Sequence, residues 1–209
     1  MIIEFFGPSG SGKTTIAREL SISTGWKYIS VNSRKEKLKY IIIFLSRIPA
    51  RFLFLFIKTI LEGRHSFRLL RHKIHLLGEY IARSEKARIE SKNEKVILDE
   101  GLAQYGLSLY EQNISEKDAC KYIDKFVNKN NKVEIIISCN ETDRIERMKE
   151  RKRIPRAYMG IDSNRWQKIM TENSHIFNDV FIKQGALVFD SAKEDSLKIV
   201  NTIEQKINT

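Results

Sequence analysis

Short apolar runs alternate with longer amphipathic segments along the 209 residues of the chain. A short apolar run bounded by turn residues is typical of a buried strand, whereas apolar positions at i, i+3, i+4 and i+7 indicate a helix. The predicted strands are 2–6, 26–31, 96–98, 133–138 and 186–189. The predicted helices are 14–24, 116–128, 142–153, 164–183 and 193–207, and 35–91 is helical in character throughout. This alternation predicts an α/β fold in which a five-stranded parallel sheet carries helices on both faces.

Length and composition fit one domain. The chain is long enough to bury a sizeable core and too short for two α/β domains. Its content of 42% hydrophobic and 30% charged residues is ordinary for a globular protein. No internal repeat, low-complexity tract or linker divides it. We therefore predict a single domain over 1–209, with a helical acceptor-binding or lid insertion at about 35–92.

The segment 40–61 is rich in Ile, Leu and Phe and has the composition of a membrane span. Arg47, Pro49, Arg51 and Lys58 interrupt it, and its longest apolar run is far shorter than the roughly 20 residues that a span requires. Proline cannot continue a helix, so two helices are predicted, meeting at Pro49. A pair of core-packing or lid-forming helices is favoured. The alternatives are a peripheral membrane contact and a pocket for a partly apolar substrate.

A glycine-rich loop lies between the first predicted strand and the first predicted helix. Its sequence, Gly7-Pro8-Ser9-Gly10-Ser11-Gly12-Lys13-Thr14, matches the phosphate-binding pattern G-x-x-x-x-G-K-[ST] (Walker A) in the context that supports it. Glycines let backbone N–H groups surround phosphates at a helix N-terminus. Lys13 is placed to reach the β- and γ-phosphates, and the Thr14 hydroxyl to ligate Mg²⁺. The residues predicted to bind ATP or GTP are Gly7, Pro8, Ser9, Gly10, Ser11, Gly12, Lys13, Thr14 and Thr15.

Two acids, Asp99 and Glu100, follow the predicted strand 96–98. A carboxylate at such a strand end holds the Mg²⁺ ion of a phosphoryl-transfer site (Walker B), so Asp99 is predicted to bind the metal together with Thr14. Glu100 has two interpretations. It either holds or deprotonates a phosphate acceptor, or it polarises an attacking water. The dipeptide alone does not decide between them.

An arginine-rich lid is predicted at about 144–160, after the fourth strand. Arg144, Arg147 and Arg151 recur at helical spacing, and Arg153 follows. Planar guanidinium groups can stabilise the charge of a transferring phosphoryl group. The alternative is a solvated basic helix paired with its own glutamates. The predicted catalytic residues are Lys13, Asp99, Glu100, Arg147, Arg151 and Arg153.

The formal charge of +11 is concentrated in one region, because 34–95 contains sixteen Lys or Arg and six Asp or Glu. Arg64, Arg68 and Arg71, with two histidines, are predicted to lie on one side of a helix. The opposite, apolar side is predicted to consist of Phe67, Leu70, Ile74 and Leu77. Such a basic stripe predicts an anionic acceptor at the three arginines, and a solvated face or an interface is the alternative.

The cysteines argue against metal and disulfide frameworks. Cys120 and Cys139 are far apart, which is unlike a zinc site and typical of a reducing compartment. The phosphate loop begins at Gly7, which leaves no room for a signal peptide before it, so a cytoplasmic location is expected. The basic stripe is accompanied by no nucleic-acid-binding module, so no nucleic-acid partner is expected. A homodimer is compatible with the sequence.

The order of these motifs resembles the P-loop kinases, in particular the thymidylate-kinase-like group of nucleoside and nucleotide kinases. The likeness runs nearly end to end, from Gly7–Thr14 through Asp99 to the lid arginines. It implies that Ser191 and Ala192, after the last strand, contact the base of ATP through their backbone. The chain differs at Phe6 and Ser9, where thymidylate kinases carry acids, and in its Glu100-Gly101 dipeptide. The resemblance therefore implies the phosphoryl-transfer scaffold and leaves the acceptor open.

Two functions follow from these observations. The first is an ATP-dependent kinase that uses Mg²⁺ and transfers the γ-phosphoryl group to a small, anionic acceptor that is nucleotide-, nucleoside- or sugar-like. The second is a regulatory P-loop NTPase that hydrolyses ATP or GTP, with Glu100 activating water. The kinase is favoured, because no signature of an ABC-type or oligomeric motor ATPase is found in the sequence.

Overall fold

The computed structural model of the protein describes residues 1–127, 131–150 and 163–208. Its five strands are β1 (Ile2–Phe6), β2 (Lys27–Tyr28), β3 (Val96–Leu98), β4 (Lys132–Ser138) and β5 (Leu187–Asp190). They form one parallel sheet in the order β2-β3-β1-β4-β5. The central strand β1 pairs Ile3 with both Ile97 and Val133. The predicted five-stranded parallel sheet is confirmed, although β2 is shorter than the predicted 26–31.

The helices alternate with these strands. They are α1 (Lys13–Thr24), α2 (Arg34–Arg47), α3 (Pro49–Gly63), α4 (Phe67–Glu90), α5 (Leu102–Leu109), α6 (Glu116–Phe126), α7 (Glu141–Glu150), α8 (Ser163–Lys183) and α9 (Ser196–Asn208). Helix α5 was not predicted. Seven of its eight residues are buried, so it has no polar face to give an amphipathic signal. The continuation of α7 to 153 lies outside the described residues.

The two faces of the sheet have separate cores because successive side chains of a strand point in opposite directions. Ile3 and Phe5 of β1 pack with α1 and α9, whereas Phe6 packs with the helices on the other face. In β4, Ile136 lies on the same face as Phe6. Helices therefore cover both faces, as predicted, and the ends of β1 and β3 open at one edge of the sheet.

The helical insertion consists of α2, α3 and α4. Pro49 is the first residue of α3, which confirms the predicted break, and the axes of α2 and α3 differ by 115°. Arg47 at the end of α2 binds the buried carboxylate of Glu85 on α4 at 2.8 Å. Burial alone would raise the pKa of Glu85, but hydrogen bonds from Arg88 and Arg47 outweigh it and hold that pKa below its ordinary value. This ion pair ties α2 to α4.

Helix α4 does not present the face that we predicted. Phe67 is 81% exposed and Ile74 is 39% exposed, whereas Leu69 and Lys73 are buried. The Lys73 ammonium pairs with Glu111 at 2.7 Å and also donates to the Leu109 carbonyl at the end of α5. A buried lysine is stable when its charge is paired and its donors are satisfied, so a polar residue occupies part of the inner face. The predicted apolar side of the helix is therefore wrong at Phe67 and Ile74, which are exposed to solvent.

Candidate active site

The phosphate loop joins the end of β1 to the start of α1. Gly10 and Gly12 have φ angles of 88° and 93°, a region in which side chains are strained. A Cβ at Gly10 would also lie 2.8 Å from the Arg144 carbonyl oxygen. The glycines of the motif are therefore required by backbone conformation and, at Gly10, by the close approach of α7.

Lys13 is the first residue of α1 and is almost fully buried. Its ammonium donates to the carbonyl oxygens of Gly7, at 2.7 Å, and Pro8, at 3.0 Å. Burial lowers the pKa of Lys13, and the carboxylates of Glu100 and Asp99 oppose that shift. The loop thus holds a cation inside its own turn, which is the position from which it can contact a polyphosphate.

Thr14 and Asp99 meet across the end of β3. The Thr14 hydroxyl donates to Asp99 Oδ2 at 3.0 Å. The other oxygen of Asp99, Oδ1, is buried and has no hydrogen-bond partner among the described residues. Mg²⁺ in phosphoryl-transfer sites takes one or two protein oxygens and completes its shell with phosphates and water. The Thr14 hydroxyl and Asp99 Oδ1, which accepts no hydrogen bond from a described residue and has only a 3.7 Å ion-pair contact with Arg83, fit that requirement. The described residues contain no cluster of three or more His, Cys, Asp or Glu that could hold a metal by itself.

Glu100 points to a different partner. Arg83 of α4 lies 3.4 Å from its carboxylate and 3.7 Å from that of Asp99. The side chain of Glu100 is 33% exposed, whereas that of Asp99 is only 6% exposed. The two acids therefore differ in accessibility, and one arginine orients both. Arg83 was not singled out in the sequence, because its proximity to β3 depends on how α4 packs.

Two further side chains support the site and were missed. Gln104 of α5 is buried, and its Oε1 accepts a hydrogen bond from the Gly7 backbone N–H at 3.2 Å. Tyr28, at the end of β2, lies beside Asp99. Burial, reinforced by the Asp99 carboxylate, raises the pKa of the Tyr28 hydroxyl. Neither residue belongs to a motif, so each is identified only by its position in the folded chain.

A cavity of about 560 Å³ adjoins the loop on the α1 and α9 side. Gly12, Thr15, Ser191 and Ala192 line it, so four of the predicted nucleotide-binding residues meet there. Arg147 of α7 also lines it, and its guanidinium donates to the Ser191 hydroxyl at 3.2 Å and to the Ser191 carbonyl at 3.3 Å. The Ser191 hydroxyl in turn donates to the Ser11 carbonyl at 2.8 Å. This chain of contacts joins α7, the loop after β5 and the phosphate loop.

The other predicted lid residues have different locations. Arg144 is buried against the phosphate loop, and its Nη1 has no hydrogen-bond partner among the described residues. Burial lowers its pKa, and Glu141 opposes that effect. Arg151 and Arg153, with the rest of the predicted lid after residue 150, lie outside the described residues. Arg144 thus supports the backbone of the loop, and the lid as a whole stays a prediction.

The arginines of the basic stripe do not meet at Lys13. Arg64 directly follows α3 as its C-cap residue, and it lines a separate cavity of about 680 Å³ with Leu69 and Trp166. Arg68 and Arg71 are exposed on the first turns of α4. Arg71 precedes Arg83 by twelve residues, which is roughly 18 Å along the helix axis. Arg83 is therefore the α4 cation that lies beside the two acids, and acceptor binding by the stripe stays a prediction.

Comparison with known proteins identifies the fold. No protein-family model and no curated protein matches the chain. The structure is similar to deoxyadenosine kinase from M. mycoides with dCMP and dCDP bound, with a TM-score of 0.58 and 20% identity over 100% of this chain and 99% of that one. The same kinase with bound dATP has a TM-score of 0.56 and 19% identity over 100% of both chains. Shikimate kinase from Acinetobacter baumannii in complex with shikimate has a TM-score of 0.52 and 12% identity over 99% of this chain and 92% of that one. The predicted P-loop NTPase fold is confirmed, and the chain has the fold of the P-loop kinases at low sequence identity.

Proposed function

We propose that the protein is an ATP-dependent kinase that transfers the γ-phosphoryl group to a hydroxyl of a small, anionic acceptor. The observation that carries the proposal is that two adjacent acids, Asp99 and Glu100, differ in burial and in their contacts. Asp99 is buried and accepts a hydrogen bond from Thr14, whereas the side chain of Glu100 is 33% exposed, and Arg83 lies within ion-pair distance of both carboxylates. Asp99 thus contacts the phosphate loop, and Glu100 is the acid that an acceptor can reach from solvent.

The donor would bind with its phosphates in the loop at Lys13 and its base in the 560 Å³ cavity. Thr14 and Asp99 would hold Mg²⁺, which neutralises charge on the phosphates when it is bound. The Arg147 guanidinium, fixed by Ser191, would cover the base as a planar cation over an aromatic ring. This position supports a role for Arg147 in donor binding over a role at the transferring phosphoryl group.

Replacing Arg147 with methionine tests that assignment. Loss of the planar cation should raise the KM for ATP roughly three- to tenfold and leave kcat nearly unchanged, because the contact is made equally in the ground and transition states. The matched control is Lys149→Met, since Lys149 is exposed on the same helix. A large fall in kcat with an unchanged KM would instead place Arg147 at the transferring phosphoryl group.

Glu100 would act on the acceptor. Its carboxylate accepts the proton of the acceptor hydroxyl while that oxygen forms a bond to the γ-phosphorus. The bond between the γ-phosphorus and the β,γ-bridging oxygen breaks, and ADP leaves with the electron pair. Arg83 orients Glu100 and lies where it could also contact an anionic group of the acceptor. The solved kinases of the same fold were determined with nucleotides or shikimate, which supports a small acceptor as the substrate class.

ADP formation measured with and without acceptors tests the proposed function. Nucleosides, nucleotides, sugars and sugar phosphates are each supplied with ATP and Mg²⁺. We expect at least one acceptor class to raise the rate at least about tenfold above the acceptor-free rate. Rapid ADP formation that no acceptor stimulates, and that Glu100→Gln abolishes, would contradict the kinase and favour the regulatory NTPase.

A further inference from the structure

Exposed large apolar side chains are concentrated on α2 and α3. Of the fourteen that are found among the described residues, eight belong to these two helices, namely Leu38, Ile42, Leu45, Leu53, Phe54, Ile57, Ile60 and Leu61. Single exposed apolar residues are normal on a protein surface, but a cluster marks an interaction surface. We propose that this cluster, the α2–α3 face, docks the protein onto the surface of a membrane that contains anionic lipids. The proposal goes beyond the proposed kinase function and does not depend on it.

The exposed residues of α3 form a stripe at helical spacing. Leu53, Ile57 and Ile60 stand at i, i+4 and i+7 and are 57%, 47% and 36% exposed. The opposite side of α3 is buried, because Leu55 and Thr59 face the core and the Thr59 hydroxyl contacts the Tyr105 hydroxyl at 2.6 Å. Large apolar side chains therefore lie on both faces of α3, since Leu55, Phe52 and Phe56 pack in the core, but only the inner face is covered. Packing in the core accounts for the apolar residues on the inner face of α3, but not for those of the exposed outer stripe.

The second helix repeats the pattern. Leu38, Ile42 and Leu45 stand at i, i+4 and i+7 along α2 and are 58%, 57% and 40% exposed. Within the described residues no single helix is long and apolar enough to cross a bilayer. Helices α2 and α3 reach the necessary length and composition only together, and the 115° bend separates them. Such a pair suits a position in the interface of the membrane, where an apolar stripe is buried to a shallow depth.

The positive charge of α2 and α3 indicates which kind of surface the α2–α3 face would bind. The segment 34–63 contains seven Lys or Arg and two acids. Both acids are engaged, since Glu36 pairs with Lys86 at 2.6 Å and Glu62 accepts from the Glu111 backbone N–H at 3.2 Å. Several exposed cations of the segment form no ion pair with any described residue, namely Arg34, Lys35, Lys39 and Arg51. Basic residues beside an apolar stripe are attracted to anionic lipid headgroups. A second copy of the chain would bring the same positive charge against it, so the bilayer is favoured over a homodimer.

A lysine of α6, outside the helical insertion, adds a positive charge beside the exposed apolar residues of α3. The Lys125 ammonium of α6 lies 3.3 Å above the ring centre of Phe54, which is itself 44% exposed. A cation held over an exposed aromatic ring combines an apolar surface with a positive charge at one point. An aromatic ring beside a cation is expected in a protein surface that contacts lipid headgroups. It adds a basic group to the edge of the α3 stripe without changing the stripe itself.

Flotation of the full chain with lipid vesicles tests the proposal. The probes are vesicles of phosphatidylcholine alone and of phosphatidylcholine mixed with phosphatidylglycerol. We expect binding to the mixed vesicles at least about tenfold above binding to the neutral ones, and weaker binding at high salt. The triple variant Leu53→Gln, Ile57→Gln, Ile60→Gln should lose it. The matched control is Ile22→Gln, Ile182→Gln, Leu197→Gln, because these residues are exposed apolar positions on other helices.

A charge variant keeps the test decisive if the triple variant fails to fold. Arg34→Glu with Lys39→Glu should reduce binding to the mixed vesicles by at least about tenfold, and Lys168→Glu with Lys198→Glu should not. Equal binding to neutral and anionic vesicles would overturn the proposal, as would no binding to either. Sedimentation of the lipid-free protein tests the alternative that a second copy of the chain binds the α2–α3 face. A concentration-dependent dimer that the triple variant abolishes, without vesicle binding, would assign the α2–α3 face to a second copy.

Discussion

Replacing Lys13 with methionine is expected to reduce phosphoryl transfer by at least about 10²-fold, because the variant loses the positioned cation at the β- and γ-phosphates. Methionine keeps most of the buried aliphatic volume of the side chain. It removes the ammonium group, whose pKa is lowered by burial. The buried carbonyl oxygens of Gly7 and Pro8 lose a donor, at a cost of about 1–3 kcal/mol each, and relief from burying an ammonium offsets part of it, so the free energy of unfolding should fall modestly. The measurements are the steady-state kcat with saturating acceptor and the thermal unfolding midpoint.

The matched control for this variant is Lys198→Ala, since Lys198 is exposed on α9 and does not line the cavity beside the loop. It should have the kcat of the parent chain. Activity of Lys13→Met within about threefold of the parent would remove Lys13 from the site. A fall in activity accompanied by a large fall in the unfolding midpoint would show that the lysine acts through the fold of the loop instead.

The second large effect is expected at Glu100. Glu100→Gln should lower kcat about 10²- to 10⁴-fold, because an amide cannot accept the proton of the acceptor hydroxyl. The KM for ATP should stay close to that of the parent, since Asp99 and Thr14 on the donor side are untouched. The experiment compares the initial rates of Glu100→Gln and the parent over a range of ATP concentrations at saturating acceptor.

The control for the second variant is Glu94→Gln, because Glu94 is an exposed acid in the loop that precedes β3. The two acids of the site are separated by a further variant. Asp99→Asn should weaken the dependence on Mg²⁺, whereas Glu100→Gln should keep the parent's Mg²⁺ dependence at a lower rate. Undiminished turnover by Glu100→Gln would show that Glu100 is neither base nor positioning group.

The donor half of the site could be predicted because it is local in sequence. The loop Gly7–Thr14 fixes its own conformation through glycines, and its lysine and threonine are adjacent to it. Asp99 could be predicted because a strand end in a parallel sheet brings it to the same edge as the loop. Ser191 follows the last strand and was predicted only because the resemblance to the P-loop kinases implied it. For the loop and for Asp99, a short motif and one strand boundary contain the information.

The acceptor half could not be predicted because it depends on packing. Arg83 reaches Asp99 and Glu100 only because α4 lies against β3 in a particular rotation. That rotation was mispredicted, since the buried Lys73 takes a place on the inner face that an apolar pattern assigns to Ile74. Gln104 belongs to α5, whose uniform burial conceals it from a periodicity analysis. The missed residues are thus polar groups whose partners come from distant parts of the chain.

The destination of the γ-phosphoryl group tests the central claim most directly. The protein is incubated with ATP labelled with ³²P at the γ-position, Mg²⁺ and the acceptor that most stimulates ADP formation, and the labelled products are separated. A kinase with Glu100 facing the acceptor transfers the label to the acceptor, and Glu100→Gln yields little labelled product of any kind. Label recovered as inorganic phosphate at the same rate with and without acceptor would contradict the proposed phosphoryl transfer.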